Sequence, residues 1–529
     1  MTLMSFVAWY DVAVYSLYSV SSIWFGYCQG VFAGVLVSPD FLHTFPETRN
    51  PNISGIVTSC FLLGAFWGAI AAFILGDVLG RRRAMLLGHL LNVAGATLQF
   101  TSWSLGQMVA GRVINGFGIG LTSTMSPVYL AECVVAQHRG ILLVIGASSN
   151  VTSFCLANWI SYALYNQDGP FQWRFPLAFQ LVFAGIIFPI LFCVPESPRW
   201  LMLVNRDQEA LVVLQRLLDT EPDETSIAVE GNGESMAVVE HRSIKSAIEL
   251  ERRSRAPITD VLRHRDKTQN FRRLILACGT QFMQQFCAIN ALGFYLPSLL
   301  HENIGYSLQM SRLLTAVTGT VYFIAAFASL FVIDSIGRRK LMLSGSIGCG
   351  LCHLVASICL RQADVDPSQA KLMGEVVVAM FVLFHVFFAP TWGGVPWVYA
   401  AEVNSLGWRA RGAAAATSTN WIMGFVVVQI TKVGIENLGW AFYLIFAVLC
   451  FSFWPIVFCF YPETSRRTLE DMDHIFMNNP SWIVCGKGEL TQRNRPETLV
   501  GAERARVSPR ETPPLDGDKN AATASVIAI

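Results

Sequence analysis

Asp77-Val78-Leu79-Gly80-Arg81-Arg82-Arg83 lies between two long apolar runs, and Asp334-Ser335-Ile336-Gly337-Arg338-Arg339-Lys340 lies between two others. Both copies read D-x-x-G-R-R. A soluble protein has little use for a short basic hinge repeated between hydrophobic segments. A membrane protein made of two similar halves does, because the basic cluster pins one helical hairpin of each half to the cytoplasmic face.

The rest of the composition agrees. Of 529 residues, 53% are hydrophobic and only 14% charged, and the mean hydropathy is +0.45. Soluble domains carry about a quarter charged residues, so the deficit points to a polytopic membrane protein. A net charge of +1 gives no case for nucleic acid. Thirteen cysteines sit almost entirely inside apolar runs, such as Cys60, Cys155, Cys193, Cys278, Cys349 and Cys450. They show no paired metal spacing and read as small hydrophobic fillers. No Lys or Arg precedes Arg49, so a signal peptide with a charged n-region is not expected.

A spanning helix needs about 20 mostly apolar residues. Twelve such segments are expected, at roughly 12–37, 54–76, 84–103, 106–130, 141–165, 175–194, 274–299, 311–333, 341–361, 373–400, 412–433 and 439–461. With the N-terminus in the cytoplasm, only seven of the 38 Lys and Arg residues fall outside or in the outer half of a helix. They are Arg49, Arg112, Arg174, Arg312, Arg361, Lys371 and Lys432. The short inside loops show this bias independently of the long one. The expected organisation is therefore a six-helix bundle (1–194), a cytosolic linker (195–270), a second six-helix bundle (271–461) and a cytosolic, mostly disordered tail (462–529). The linker is polar, contains Glu230-Gly231-Asn232-Gly233-Glu234, and shows helical spacing from Gln208 to Leu218.

Further motifs stand at the helix ends. Gly111-Arg112 opens the fourth segment. Pro127-Val128-Tyr129-Leu130-Ala131-Glu132 closes it, with Arg139-Gly140 seven residues on. Pro195-Glu196-Ser197-Pro198-Arg199-Trp200-Leu201 follows the sixth, and Pro462-Glu463-Thr464-Ser465 follows the twelfth. Together, in this order, they resemble the sugar porter family of the major facilitator superfamily, in particular its fungal-type sugar and polyol transporters. The likeness runs from about residue 21 to 473. It implies an all-α membrane protein of twelve transmembrane helices in two pseudo-symmetric bundles, and a carrier working by alternating access.

Glu132 and Arg139 recur as Glu402 and Arg409, both spaced by seven. With Asp77, Arg81, Arg82, Asp334, Arg338 and Arg339 they form a candidate inner gate, whose acids and bases could bridge the halves and shut the mouth. The simpler alternative is that they only fix topology. Partly buried pairs are poor glue because desolvation offsets their attraction, which suits a gate that opens each cycle.

The seventh segment begins Gln281-Phe282-Met283-Gln284-Gln285-Phe286-Cys287-Ala288-Ile289-Asn290. Amides in a span are expensive unless they face protein or water, and they offer donors and acceptors without charge. That suits a small neutral polyhydroxylated solute, although bonds between helices alone could also account for them. Gln284 and Asn290 lie about 120° apart on a regular helix, so convergence asks for an unwound turn, expected near Asn290 to Gly293. Trp397, after Gly393-Gly394-Val395-Pro396, and Trp421, after Asn420, could cover a sugar ring. The resemblance implies sugar contacts for the residues matching Gln284, Gln285, Asn290, Trp397, Asn420 and Trp421. Trp392 reads as packing, and His89, His353 and His385 as satisfied bundle residues.

Two positions depart from the family pattern. Cys28, in Gly26-Tyr27-Cys28-Gln29-Gly30, stands where proton-coupled relatives carry Asp. A thiol, with an ordinary pKa of about 8.5, cannot cycle a proton as a carboxylate does, so uniport is expected over symport. Ala147 replaces a Gln of the fifth segment, with Asn150 or Asn158 available to refill the site. The alternatives are a symporter using another titratable group, a non-transporting nutrient sensor, or an exporter of a small metabolite. No nucleophile–base set, metal cluster or phosphate loop stands out, so an enzyme is not expected, nor any cofactor or metal. A lipid bilayer is the expected surrounding, most simply the plasma membrane with both termini cytoplasmic, and a single chain suffices for such a fold.

Overall fold

The structure is a computed structural model describing residues 9–134, 136–218, 236–254, 256–486 and 488–492. The expected flexible middle of the linker and the end of the tail lie outside these residues, as do the side chains of Arg139, Ala147 and Asp334.

Each expected apolar segment falls on a helix or on consecutive helices. The first six are α1 (Trp9–Leu36), α2 (Pro51–Leu79), α3 (Arg81–Phe100), α4 (Leu105–Cys133), α5 (Ala136–Ala163) and α6 (Phe171–Cys193). In the linker are α7 (Asp207–Leu218), which buries the expected apolar face through Ala210, Leu214 and Leu217, and α8 (Met236–Ser254) packed on it. The second half comprises α9 (Asn270–Gln285), α10 (Ile289–Ser298), α11 (Leu308–Ile336), α12 (Arg338–Val365), α13 (Ala370–Phe388), α14 (Val395–Val403), α15 (Arg409–Leu438) and α16 (Trp440–Phe460). A further helix, α17 (Leu469–Asn478), docks under it. Among the described residues, seven helical stretches are long and apolar enough to cross a membrane by length and composition.

Local chemistry sets the boundaries. Asn50, Ser104 and Ser307 cap the starts of α2, α4 and α11 with side-chain oxygens. Gly80 and Gly337 separate α2 from α3 and α11 from α12 at φ 93° and 98°, a conformation only glycine adopts cheaply. The D-x-x-G-R-R repeat is thus a helix stop and a helix start in seven residues.

Within the first half α2 packs on α4, α3 on α4 and α6, and α1 on α5; in the second, α9 packs on α15 and α12 on α13 and α16. Small residues let the backbones close. A Cβ at Gly68 would stand 2.1 Å from the Phe117 carbonyl oxygen, and one at Gly116 2.0 Å from that of Phe61. Gly64 and Gly68 of α2 seat the Val113 and Phe117 backbone of α4, and Gly116 and Gly120 of α4 seat the Phe61 and Ala65 backbone of α2, a reciprocal small-xxx-small seam. The halves meet along α2 with α15 and along α5 with α11, two contacts related by the pseudo-symmetry of the chain.

Candidate functional site

The seventh segment is broken, but earlier than its sequence suggests. The break lies at Phe286–Ala288, between α9 and α10, with Ala288 in the left-handed region at φ 71°. Asn290 to Gly293 is regular helix. A glycine marked the wrong place; the true break is closed locally by Cys287 and Ala288 amides donating to Met283 and Gln285 carbonyls. The Cys287 carbonyl, freed from the helix, accepts from His353 Nε2 at 3.0 Å. His353 is thus bonded at one ring nitrogen, by the break, while its buried Nδ1 has no hydrogen-bond partner among the described residues.

The break brings the amides together. Asn290 Nδ2 donates to Gln285 Oε1 at 2.6 Å across it. Asn420 Nδ2, from α15, donates to Gln281 Oε1 at 2.7 Å and Gln284 Oε1 at 2.5 Å. Gln284 Nε2 donates to the Trp392 and Gly393 carbonyls at 2.7 and 3.0 Å. Those carbonyls belong to a widened turn, Ala389–Gly393, between α13 and α14, where Pro390 supplies no N–H. Gln284 thus spends both amide hydrogens and its oxygen on protein, as a brace between α9 and that turn. Gln285 and Asn290 have donors to spare.

The tryptophans differ. Trp421 is 2% exposed and meets Phe25 of α1 edge-on at 5.3 Å, a ring contact across the halves; Trp397 is 41% exposed. Trp392 is fully buried against Phe453, in keeping with its reading as packing. His385 Nδ1 lies 2.7 Å from the Phe381 carbonyl and His89 Nε2 3.1 Å from Ser21 Oγ. Asn150 and Asn158 both donate to backbone, at Ser22 and Phe154.

On α1, the Cys28 thiol donates to Gln180 Oε1 at 3.1 Å. Gln180, on α6, escaped sequence reasoning, although a glutamine in so apolar a run was a usable signal. Arg112 of α4 is 1% exposed, donates to the Thr58 carbonyl at 2.9 Å and stacks over Phe32 at 3.6 Å. It has no carboxylate partner among the described residues.

The basic hinges are ion-paired. Arg81 forks onto Glu132 at 3.0 and 3.2 Å, and Arg338 onto Glu402 at 2.9 and 3.2 Å. Each pair lies within one half, so in this conformation these residues lock helix ends of their own bundle together. Hydroxyls complete both: Ser197 donates to Glu132 at 2.5 Å, Thr464 to Glu402 at 2.6 Å. Asp77 adds a 3.2 Å contact to Arg81. Arg82 and Arg339 cap the chain ends of α6 and α16 by donating to the Leu191 and Phe458 carbonyls at 2.9 and 2.7 Å. Arg409 opens α15, half-buried.

Two residues missed as site members explain the repeated Pro-Glu motifs. The carboxylate of Glu196 accepts from the Arg81 and Arg82 amides at 2.9 and 3.0 Å, and Glu463 from those of Arg338 and Arg339 at 2.9 and 3.2 Å. Each glutamate thereby caps the unpaired N–H groups and positive pole of a helix from a distance.

Bonds between the halves cluster from mid-depth toward the opposite, far end. Ser59 donates to Gln429 at 2.7 Å, and Trp159 Nε1 to Thr320 at 2.9 Å. Helix α10, which carries Asn290, packs on α1 of the first half, and Trp421 beside Asn420 meets Phe25 of the same helix, so the amide site borders the other bundle.

Comparison with known proteins fits this architecture. The family model described as sugar (and other) transporter matches residues 9–476. The MFS-type transporter oryC of Aspergillus oryzae is 38% identical over 486 residues, covering 91% of this chain and 88% of its own. The sugar transporter STL1 of Saccharomyces cerevisiae is 32% identical, covering 85% of this chain and 79% of its own. A probable quinate permease of Aspergillus niger is 29% identical, covering 90% of both chains. Among solved structures, the inward open conformation of the xylose transporter XylE from E. coli matches with a TM-score of 0.70 at 21% identity. It covers 88% of this chain and 100% of its own. With its repeated hinges, broken seventh segment and paired bundles, the chain belongs to the sugar porter family of the major facilitator superfamily.

Proposed function

We propose that the chain is a facilitative uniporter carrying a neutral sugar or polyol by alternating access. One observation carries the reading: uncharged amides gathered at a helix break where the two halves meet. In this proposal Gln285, Asn290 and Trp421 touch the solute. Gln284 and Asn420 hold the break in shape around it, and Trp397 joins when helix α14 moves. Amides trade bonds with hydroxyls at little electrostatic cost, so binding and release stay balanced. The hinge residues Asp77, Arg81, Arg82, Glu132, Arg139, Asp334, Arg338, Arg339, Glu402 and Arg409 keep each bundle rigid as it rocks. Cys28, bonded to Gln180, supports uniport because that place offers no carboxylate to a proton. The basic hinges support a cytoplasmic hinge end and cytoplasmic termini, with the plasma membrane as the proposed location.

A second reading, carriage of a carboxylated polyol, is favoured by Arg112, a buried cation whose described partners are a carbonyl and aromatic faces. The similarity to a probable quinate permease gives that reading a candidate solute. Radiolabelled hexose uptake by a transport-null cell expressing the chain decides between them. Uptake resisting excess quinate is the expected result. Competition by quinate favours the second reading, and surface expression with no uptake of either contradicts both.

A further inference from the structure

Arg312, at the start of α11, is one of the few basic residues at the far end, and it is 2% exposed. Among the described residues it faces no carboxylate. Its Nη1 donates to the Ser161 carbonyl at 3.3 Å and its Nη2 to the Gly34 carbonyl at 3.5 Å. The Tyr165 ring lies 6.0 Å away. Both acceptors belong to the other half.

Gly34 and Ser161 lie in the last turns of α1 and α5, whose final carbonyls have no partner in their own helix. Loop amides take the neighbours: Ser38 bonds Val35, Leu164 bonds Ile160 and Tyr165 bonds Tyr162. The carbonyls of Gly34 and Ser161 are left for Arg312. They are close because Gly34 has no side chain; a Cβ there would stand 1.8 Å from Ser161 Oγ. One guanidinium of the second half therefore caps two negative helix poles of the first.

We propose that Arg312 is the latch that closes the far end, an inference that rests on the chain working by alternating access. Its fork reaches two acceptors with fixed geometry, which a lysine cannot do. Because the acceptors are partial charges at helix ends, the latch holds less tightly than a buried ion pair and leaves no lone carboxylate behind. When the halves part, the guanidinium and both carbonyls return to water together. The states closed and open at this end can then be comparably populated, as a cycling carrier requires.

Hydrogen–deuterium exchange of the full chain in nanodiscs tests the latch with no solute present. Arg312→Ala should raise uptake at the ends of α1 and α5 and the start of α11. It should also lower uptake at the hinges around Arg81 and Arg338, as the population moves roughly five- to tenfold toward the far-end-open state. Arg312→Lys should give the same signs at smaller size, and decides the matter if the alanine variant does not fold. Unchanged exchange, or a rise at both ends together, overturns the proposal. A chain that exchanges as expected but carries no sugar keeps the latch and sinks only the sugar reading.

Discussion

Gln284 donates its side-chain amide to the backbone carbonyl of Trp392 at 2.7 Å, tying α9 to the widened turn before α14. Two irregular helices of the second half are thus joined at their irregular points. Each break exposes backbone groups inside a membrane span, where an unsatisfied group is costly, and each is repaired by a side chain from another element. His353 repairs the first and Gln284 the second.

That division of labour separates the amides experimentally. Gln285→Ala and Asn290→Ala should each raise KM for solute uptake about five- to fiftyfold, the loss of one to two hydrogen bonds, with Tm nearly unchanged. Gln284→Ala should lower Tm as well, because it strands two carbonyls. Uptake kinetics and thermal unfolding in the same detergent check both, and unchanged KM in the first two variants would remove them from the site.

The hinge pairs should behave as parts of one bundle. Arg81→Ala leaves Glu132 buried and uncompensated, a loss of about 3–5 kcal/mol in comparable sites. Water at the membrane surface reaches this hinge, so the lower end of that range is expected. Arg81→Met with Glu132→Leu, which removes both charges, should recover much of the lost Tm. Equal Tm for Arg81→Ala and the parent chain would contradict the pairing.

The glycine seam predicts a sharp positional contrast within α4. Gly116→Val must push against the Phe61 carbonyl and should lower the yield of folded, monodisperse protein severely, since overpacking costs about 1–3 kcal/mol or more. Gly106→Ala, whose added Cβ meets nothing within 4 Å, should be neutral. Size-exclusion profiles of the two variants measure the difference.

Cys28→Asp should make uptake depend on pH where the parent is flat. A carboxyl placed beside Gln180 lets the half close most readily when neutral, so initial rates should rise as pH falls from 8 toward 5. A flat profile for both proteins would show that this place has no hold on the cycle.

Much of this was legible in the chain. Repeated D-x-x-G-R-R and apolar runs of spanning length define the two halves, because lipid leaves helices few alternatives. The amides of α9 announced themselves by being polar where polarity is costly. What escaped were relationships between distant residues. Glu132 forks with Arg81, 51 positions away, a partner no spacing along the chain reveals, since helix ends meet in three dimensions. The break at Phe286–Ala288 was hidden because it uses Ala288 instead of a glycine, held there by packing that no local pattern records.

The proposal stands on the chain moving a neutral solute down its gradient without a proton. Reconstitution into proteoliposomes, with radiolabelled sugars and polyols and an imposed pH gradient, measures it directly. The account predicts uptake of at least one of them that stops at the outside concentration and ignores the gradient. Accumulation above that concentration when the outside is acidic would contradict it.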